Sequence, residues 1–236
     1  MNAPATLTTP DMNEQAQQCL QKLMRVWFDF ERQVGRVPII QRLERGTFTQ
    51  DDYQRLLCHL RQQVIEGGRW ISRSASSFER DYLDVRSLVI GHAKDEHQDY
   101  QMLEQDYLRA GGSEDTIQTQ VANLGTEALH SFLMHRASLP NPIDMIGAMW
   151  MIEGLGQKMA GSWADRIDEA VPTTPPCTQF MRYHAENDEQ HMNKLYAMLD
   201  RVCRTDADGL RIVKTARVVG RLYALQLEEV DHDDTL

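Results

Sequence analysis

His184, Asp188 and His191 stand at offsets of four and three residues in the run YHAENDEQH. On an α-helix those offsets return to one face, so three groups able to ligate a metal point the same way. Met181, Leu195, Leu199 and Val202 share that face, which makes it the stripe such a helix buries. A second segment repeats the pattern: along Val85, Leu88, His92, Glu96, Asp99 and Leu103, three polar groups interrupt an apolar stripe at its centre. A third places Glu153 in the middle of Ile146, Met149, Trp150, Gly156 and Ala160. A lone histidine on an apolar face is usually a satisfied core residue, but here four carboxylates and three imidazoles fall together at positions meant for burial. Burying them is costly unless something pairs with them. A buried ion-pair network needs arginine or lysine, and these stripes offer neither. Helix bundles can instead gather such groups around iron or manganese, contributed from facing helices. Mixed carboxylate and imidazole donors suit those two metals, and the lack of thiolate ligands removes the usual structural zinc site.

The helices that must position these groups can be read from periodicity and end signals. The chain of 236 residues is rich in helix formers, is 25% charged and 42% hydrophobic, and lacks strand-type runs. It reads as one all-α domain of about seven helices spanning 11–230, with a disordered lead over 1–10 and an acidic tail over 231–236. Helices are expected over 11–34, closed by a left-handed Gly35, and over 49–74, opened by a Thr49–Asp52 capping box. Others are expected over 81–110, stopped by Gly111-Gly112, and over 113–137. The last three run over 141–167, started by Asn141-Pro142, over 178–202 and over 208–228. Gly67-Gly68 marks a tight helix crossing, and Gly147, Gly154, Gly156 and Gly161 mark something bulky passing close to the fifth helix.

A net charge of −10 excludes a nucleic-acid-binding surface, which needs a lysine and arginine excess. Cys19, Cys58, Cys177 and Cys203 are scattered and read as free thiols of a reducing compartment. No apolar run approaches membrane-spanning length and no basic, then apolar leader opens the chain, so a cytoplasmic protein without a membrane partner is expected. His97 is five residues from His92, on the opposite side, and reads as a surface histidine. Glu127 and His130 have ligand spacing but lie beside their apolar set, and also read as surface.

The strings VPIIQRLERGTFTQDDYQRLL, RSLVIGHAKDEHQDYQMLEQDYLRAGG, MIEGLG and YHAENDEQH together resemble the haem-oxygenase-like helical superfamily over about residues 35–202. That group includes the TenA-type thiaminases, pyrroloquinoline-quinone synthase and the haem-oxygenase-like di-iron oxidases and oxygenases. The resemblance is closest to the di-iron branch, and it implies Glu153, His184, Asp188 and His191 as iron ligands. In that branch a glutamate and then a histidine precede the GG helix end; here Glu96 and Asp99 stand at those positions, with His92 as an alternative ligand or supporting partner. The function it implies is a non-haem iron oxidase or oxygenase holding two iron(II) ions, or one, with manganese as the other metal such donors suit. It would use dioxygen to oxidise a small amino acid, amine or fatty acid. A pocket beside the metal is expected at Trp150 and Gly154, with Trp70 and Tyr183 as further lining, and a homodimer or homotetramer is implied. Two other readings stay open. One is a TenA-like thiaminase or aminopyrimidine hydrolase with a cysteine nucleophile; the other is a non-catalytic, small-ligand-binding member of the fold.

Overall fold

Amphipathic stripes and strong caps account for most of the architecture. The computed structural model describes residues 12–232, apart from the side chains of Asp188 and Glu189. The expected lead and the tail beyond His232 therefore lie outside the described residues, whereas Asp231 is held by Arg42 at 2.7 Å. Helix α1 (Glu14–Val34) is capped by Asn13, whose side chain also donates to Asp200 and so ties the first helix to a segment near residue 200. Gly35 does not adopt the expected left-handed conformation; its φ is −62°, because the chain turns right-handedly into α2 (Pro38–Glu44). The Thr49–Asp52 capping box forms both of its bonds and opens α3 (Gln50–Val64).

The described residues contain twelve α-helical segments rather than seven, because several expected helices are broken. The second divides at 65–66 into α3 and α4 (Gly67–Ser77). The third divides at 97–99 into α5 (Leu83–Glu96) and α6 (Tyr100–Arg109), which ends as expected at a left-handed Gly111 (φ +83°). A Cβ on Gly68 would lie 2.7 Å from His97 Cβ, so the glycine lets α4 cross the end of α5 at this break. The fourth divides into α7 (Glu114–Thr119) and α8 (Leu124–Ala137). Helix α9 (Met145–Leu155) starts later than Asn141-Pro142 suggested. Asn141 takes φ +47° and clasps Glu79 instead of capping. A π-helical turn at Gly156–Ala160 joins α9 to α10 (Gly161–Ala170) in one rod; α11 (Gln179–Val202) and α12 (Asp206–Glu228) complete the bundle.

Helix α12 is the spine, packed against α1, α8 and α9. Gly125 of α8 and Gly147 of α9 give it room, since a Cβ on either would come within 2.3 Å of α12 backbone atoms. Of the glycines of the fifth expected helix, Gly147 thus serves α12, Gly154 faces the Trp27 ring and Gly161 faces Ala185 of α11. No helix among the described residues is long and apolar enough to cross a membrane.

Candidate metal centre

Three helices converge as the stripes required. Helix α5 presents His92 and Glu96, the turn at its end presents Asp99, α9 presents Glu153 just before the π turn, and α11 presents His184 and His191. Their donor atoms fall into two groups, each with all atoms within 4.8 Å of one another. One is His92, Glu96, Glu153 and His191; the other is Glu96, Asp99 and His184. Glu96 belongs to both. Asp188 lies on α11, but its side chain is outside the described residues.

Glu153 is buried between two imidazoles, with Oε1 3.0 Å from His92 Nε2 and Oε2 3.0 Å from His191 Nδ1. His191 Nδ1 also lies 3.4 Å from Glu96 Oε1, and His184 Nε2 lies 3.5 Å from Asp99 Oδ2. The rings of His92 and His191 meet edge to face at 4.9 Å. Burial alone would raise the Glu153 carboxyl, but the two imidazoles hydrogen-bonded to it bring it down to about 2. Glu96 goes the other way. Burial and the neighbouring Glu153 charge push it up to about 7 against the pull of His184 and His92. Asp99 is also raised, by burial first. Two carboxylates of one pocket are thereby driven apart, as happens where like charges share a confined site.

The donor set fits a cation. Glu96 Oε1 and Asp99 Oδ2 are buried with no hydrogen-bond partner, and no arginine or lysine among the described residues pairs with Glu96, Asp99 or Glu153. Elsewhere the same chain buries carboxylates differently: fully buried Asp144 receives Arg136 at 2.6 Å, Arg211 at 3.1 Å and Thr215 at 2.9 Å. Nearly buried Asp52 receives Arg42 and Arg55. Donors bound to one metal at about 2.0–2.2 Å stand about 3–4.4 Å apart, so modest side-chain adjustment closes either group on an ion.

A cavity of about 80 Å³ adjoins the cluster, bounded by Glu96, Glu153 and His184 on one side and by apolar residues of α3, α4, α9, α11 and α12 on the others. Trp70 lines it. Trp150 does not: it packs edge to face on Trp27 at 6.4 Å. Nor does Gly154, which faces the Trp27 ring. Tyr183 is 38% exposed and lies against His184 from outside the cavity. The lining that the sequence reading missed comes from Gln63 of α3, Trp163 of α10 and Tyr223 of α12. Gln63 follows Leu60 at helical spacing, which is the signal that could have placed it. His97 is exposed, and His130 is half-buried near Glu66 (3.6 Å), both apart from the cluster.

A family model described as iron-containing redox enzyme matches residues 90–224, more than half of the chain. No curated protein matches by sequence. Among solved structures, a domain of unknown function with a haem-oxygenase-like fold from Shewanella denitrificans OS217 superposes with a TM-score of 0.83 at 19% identity, covering 93% of each chain. A TenA homologue from Pseudomonas syringae pv. tomato gives 0.77 at 10% identity over 98% of both chains. Another from P. horikoshii OT3 gives 0.74 at 14% identity, over 90% of this chain and 97% of its own. These likenesses establish the all-α haem-oxygenase-like fold, and the sequence match goes further: the chain belongs to the iron-containing redox enzyme family.

Proposed function

We propose that the cluster holds non-haem iron and that the chain uses it, with dioxygen, to oxidise a small organic molecule in the adjoining cavity. The observation that carries this reading is the composition of the buried cluster, three carboxylates facing three imidazoles with no arginine or lysine partner. His92, Glu96, Glu153 and His191 would hold one ion, and Glu96, Asp99 and His184 a second, Glu96 being shared. Bound iron(II) supplies the electrons that activate dioxygen. The chain's own groups do the rest. Glu153 fixes the ring orientations of His92 and His191 through its two oxygens. The apolar walls keep bulk water from the reacting centre and select an apolar substrate body. A cysteine-based hydrolase gains no support, since none of Cys19, Cys58, Cys177 and Cys203 lines the cavity.

The test is anaerobic iron(II) loading, desalting and a colorimetric iron assay. Wild type is expected to retain two ions per chain and the His184→Ala/His191→Ala double variant almost none, with oxygen uptake lost in parallel. Undiminished iron in that variant, or no iron in wild type, would refute the reading.

A further inference from the structure

Reduction of dioxygen to water takes four electrons, so an oxidation that draws only two from its substrate needs two more from a donor that meets the protein surface. The described surface has a groove suited to it. Helices α1 and α12 enclose about 580 Å³ between Arg32 and Arg36 on one side and Arg217 and Arg221 on the other. Asp29 neutralises Arg32 at 2.7 Å. Arg36, Arg217 and Arg221 form no ion pair among the described residues, which leaves three free guanidinium groups against Glu228. This local excess of positive charge stands in a chain whose net charge is −10. An acidic partner is therefore repelled by most of the molecule and drawn to this groove.

The groove also leads inward. Phe30 forms part of its floor and meets Tyr223 edge to face at 6.2 Å, and Tyr223 lines the cavity beside Glu96, Glu153 and His184. A second route starts from the same ring. Phe30 contacts Trp27 at 5.6 Å, and Trp27 packs on Gly154, where a Cβ would lie 3.2 Å from its ring, next to Glu153. Phe30 and Tyr223 thus stand between the basic groove and the cavity that adjoins the cluster.

We infer that the α1–α12 groove is the docking surface for an acidic one-electron donor protein of the iron–sulphur type, and that Phe30, Tyr223 and Trp27 carry its electron to the metal cluster. This rests on the iron reading above. Each docking would pass one electron from the donor's iron–sulphur centre, which is oxidised, to ferric iron held by His92, Glu96, Glu153 and His191 or by Glu96, Asp99 and His184, with no bond made or broken. Redox encounters of this kind are small and transient, so micromolar affinity that falls steeply with salt is the expected signature.

The probe is an acidic [2Fe–2S] ferredoxin, titrated calorimetrically against the metal-stripped full chain at low and moderate ionic strength. Wild type is expected to bind and to lose about tenfold or more in affinity as salt is raised. Arg217→Glu/Arg221→Glu, both on exposed positions, is expected to lose about tenfold at low salt while keeping its circular dichroism spectrum and its iron content. Phe30→Leu is expected to bind the ferredoxin normally. In stopped flow it should accept electrons from the reduced ferredoxin about tenfold more slowly, and those from dithionite at the wild-type rate. Unaltered binding by the charge-reversed variant, salt-independent binding, or no binding overturns the proposal. So does a Phe30→Leu rate equal to wild type, or capture of inorganic pyrophosphate at these arginines without ferredoxin binding. Normal iron content without ferredoxin binding refutes the docking surface alone, whereas absence of iron in wild type refutes the function it serves.

Discussion

Replacing Glu96 by glutamine separates the cost of the candidate metal centre from its use. The side chain is 16% exposed and its carboxyl is pushed from an ordinary 4.5 up to about 7 by burial and by the Glu153 charge. Between those two values the folded chain binds a proton that the unfolded chain has already released, so stability falls as pH rises. At about 1.36 kcal/mol per unit, the full penalty is about 3 kcal/mol, absent below pH 4.5 and complete above pH 7. The glutamine has nearly the same shape and no charge to desolvate. For a chain of this size about 3 kcal/mol corresponds to roughly 6–10 °C in Tm. Metal-stripped Glu96→Gln is therefore expected to melt roughly 6–10 °C above metal-stripped wild type at pH 8 and close to it at pH 5. Circular dichroism melts in chelator, taken in half-unit pH steps, would show the gap opening. Because Glu96 belongs to both donor groups, the same variant should fail to retain iron. A variant no more stable than wild type at pH 8, or a gap that does not grow with pH, would show that His184 and His92 already compensate the charge.

The remaining predictions concern the scaffold. Gly125→Ala would drive a Cβ to 2.3 Å from Gln226 N and 2.5 Å from its Cα, so α8 and α12 must separate. A loss of about 1–3 kcal/mol is expected in urea unfolding. Gly91→Ala is the contrast: nothing lies within 4 Å of the new methyl inside α5, and a gain of about 0.5–1 kcal/mol follows from helix propensity. Asp144→Ala would remove the buried carboxylate shared by Arg136, Arg211 and Thr215; the arginines still reach water, and a loss of about 1–3 kcal/mol is expected from the same unfolding measurement.

What could be read in the sequence was what depends on helical phase. Offsets of three and four set His184 and His191 on one face of α11 and His92 and Glu96 on one face of α5, whereas Asp99 joins them from the turn after α5. Glu153 lies against His92 and His191. The capping box at Thr49 and the stop at Gly111 were equally local, and both are present. What could not be read depends on neighbours distant in sequence. The breaks at 65–66 and 97–99 come where α4 crosses α5, and no residue near either is a helix breaker beyond the glycine pair. Trp150 and Gly154 were assigned to a pocket because they flank Glu153, but Trp27 of α1 occupies that side. Gln63 and Tyr223 reach the cavity from helices whose stripes gave no sign of chemistry.

The position at which a histidine was expected holds Asp99, and the structure shows why this need not weaken the cluster. His92, one turn before Glu96 on α5, stands with Glu96, Glu153 and His191, so that group already has two imidazoles and two carboxylates. Asp99 then serves a different group, opposite His184. The contrast with Asp144 gives the arrangement its meaning. Arginine keeps its proton at any accessible pH, so the Asp144 network is permanently satisfied and closed to a cation. An imidazole hydrogen-bonded to a carboxylate can give up its proton and turn the freed lone pair to a metal, while the carboxylate needs no new partner to remain charged. Glu96 above its ordinary range adds a further proton that an arriving cation displaces. Iron uptake should accordingly release protons, and more per ion near pH 6.5 than at pH 8.5, where Glu96 has already ionised.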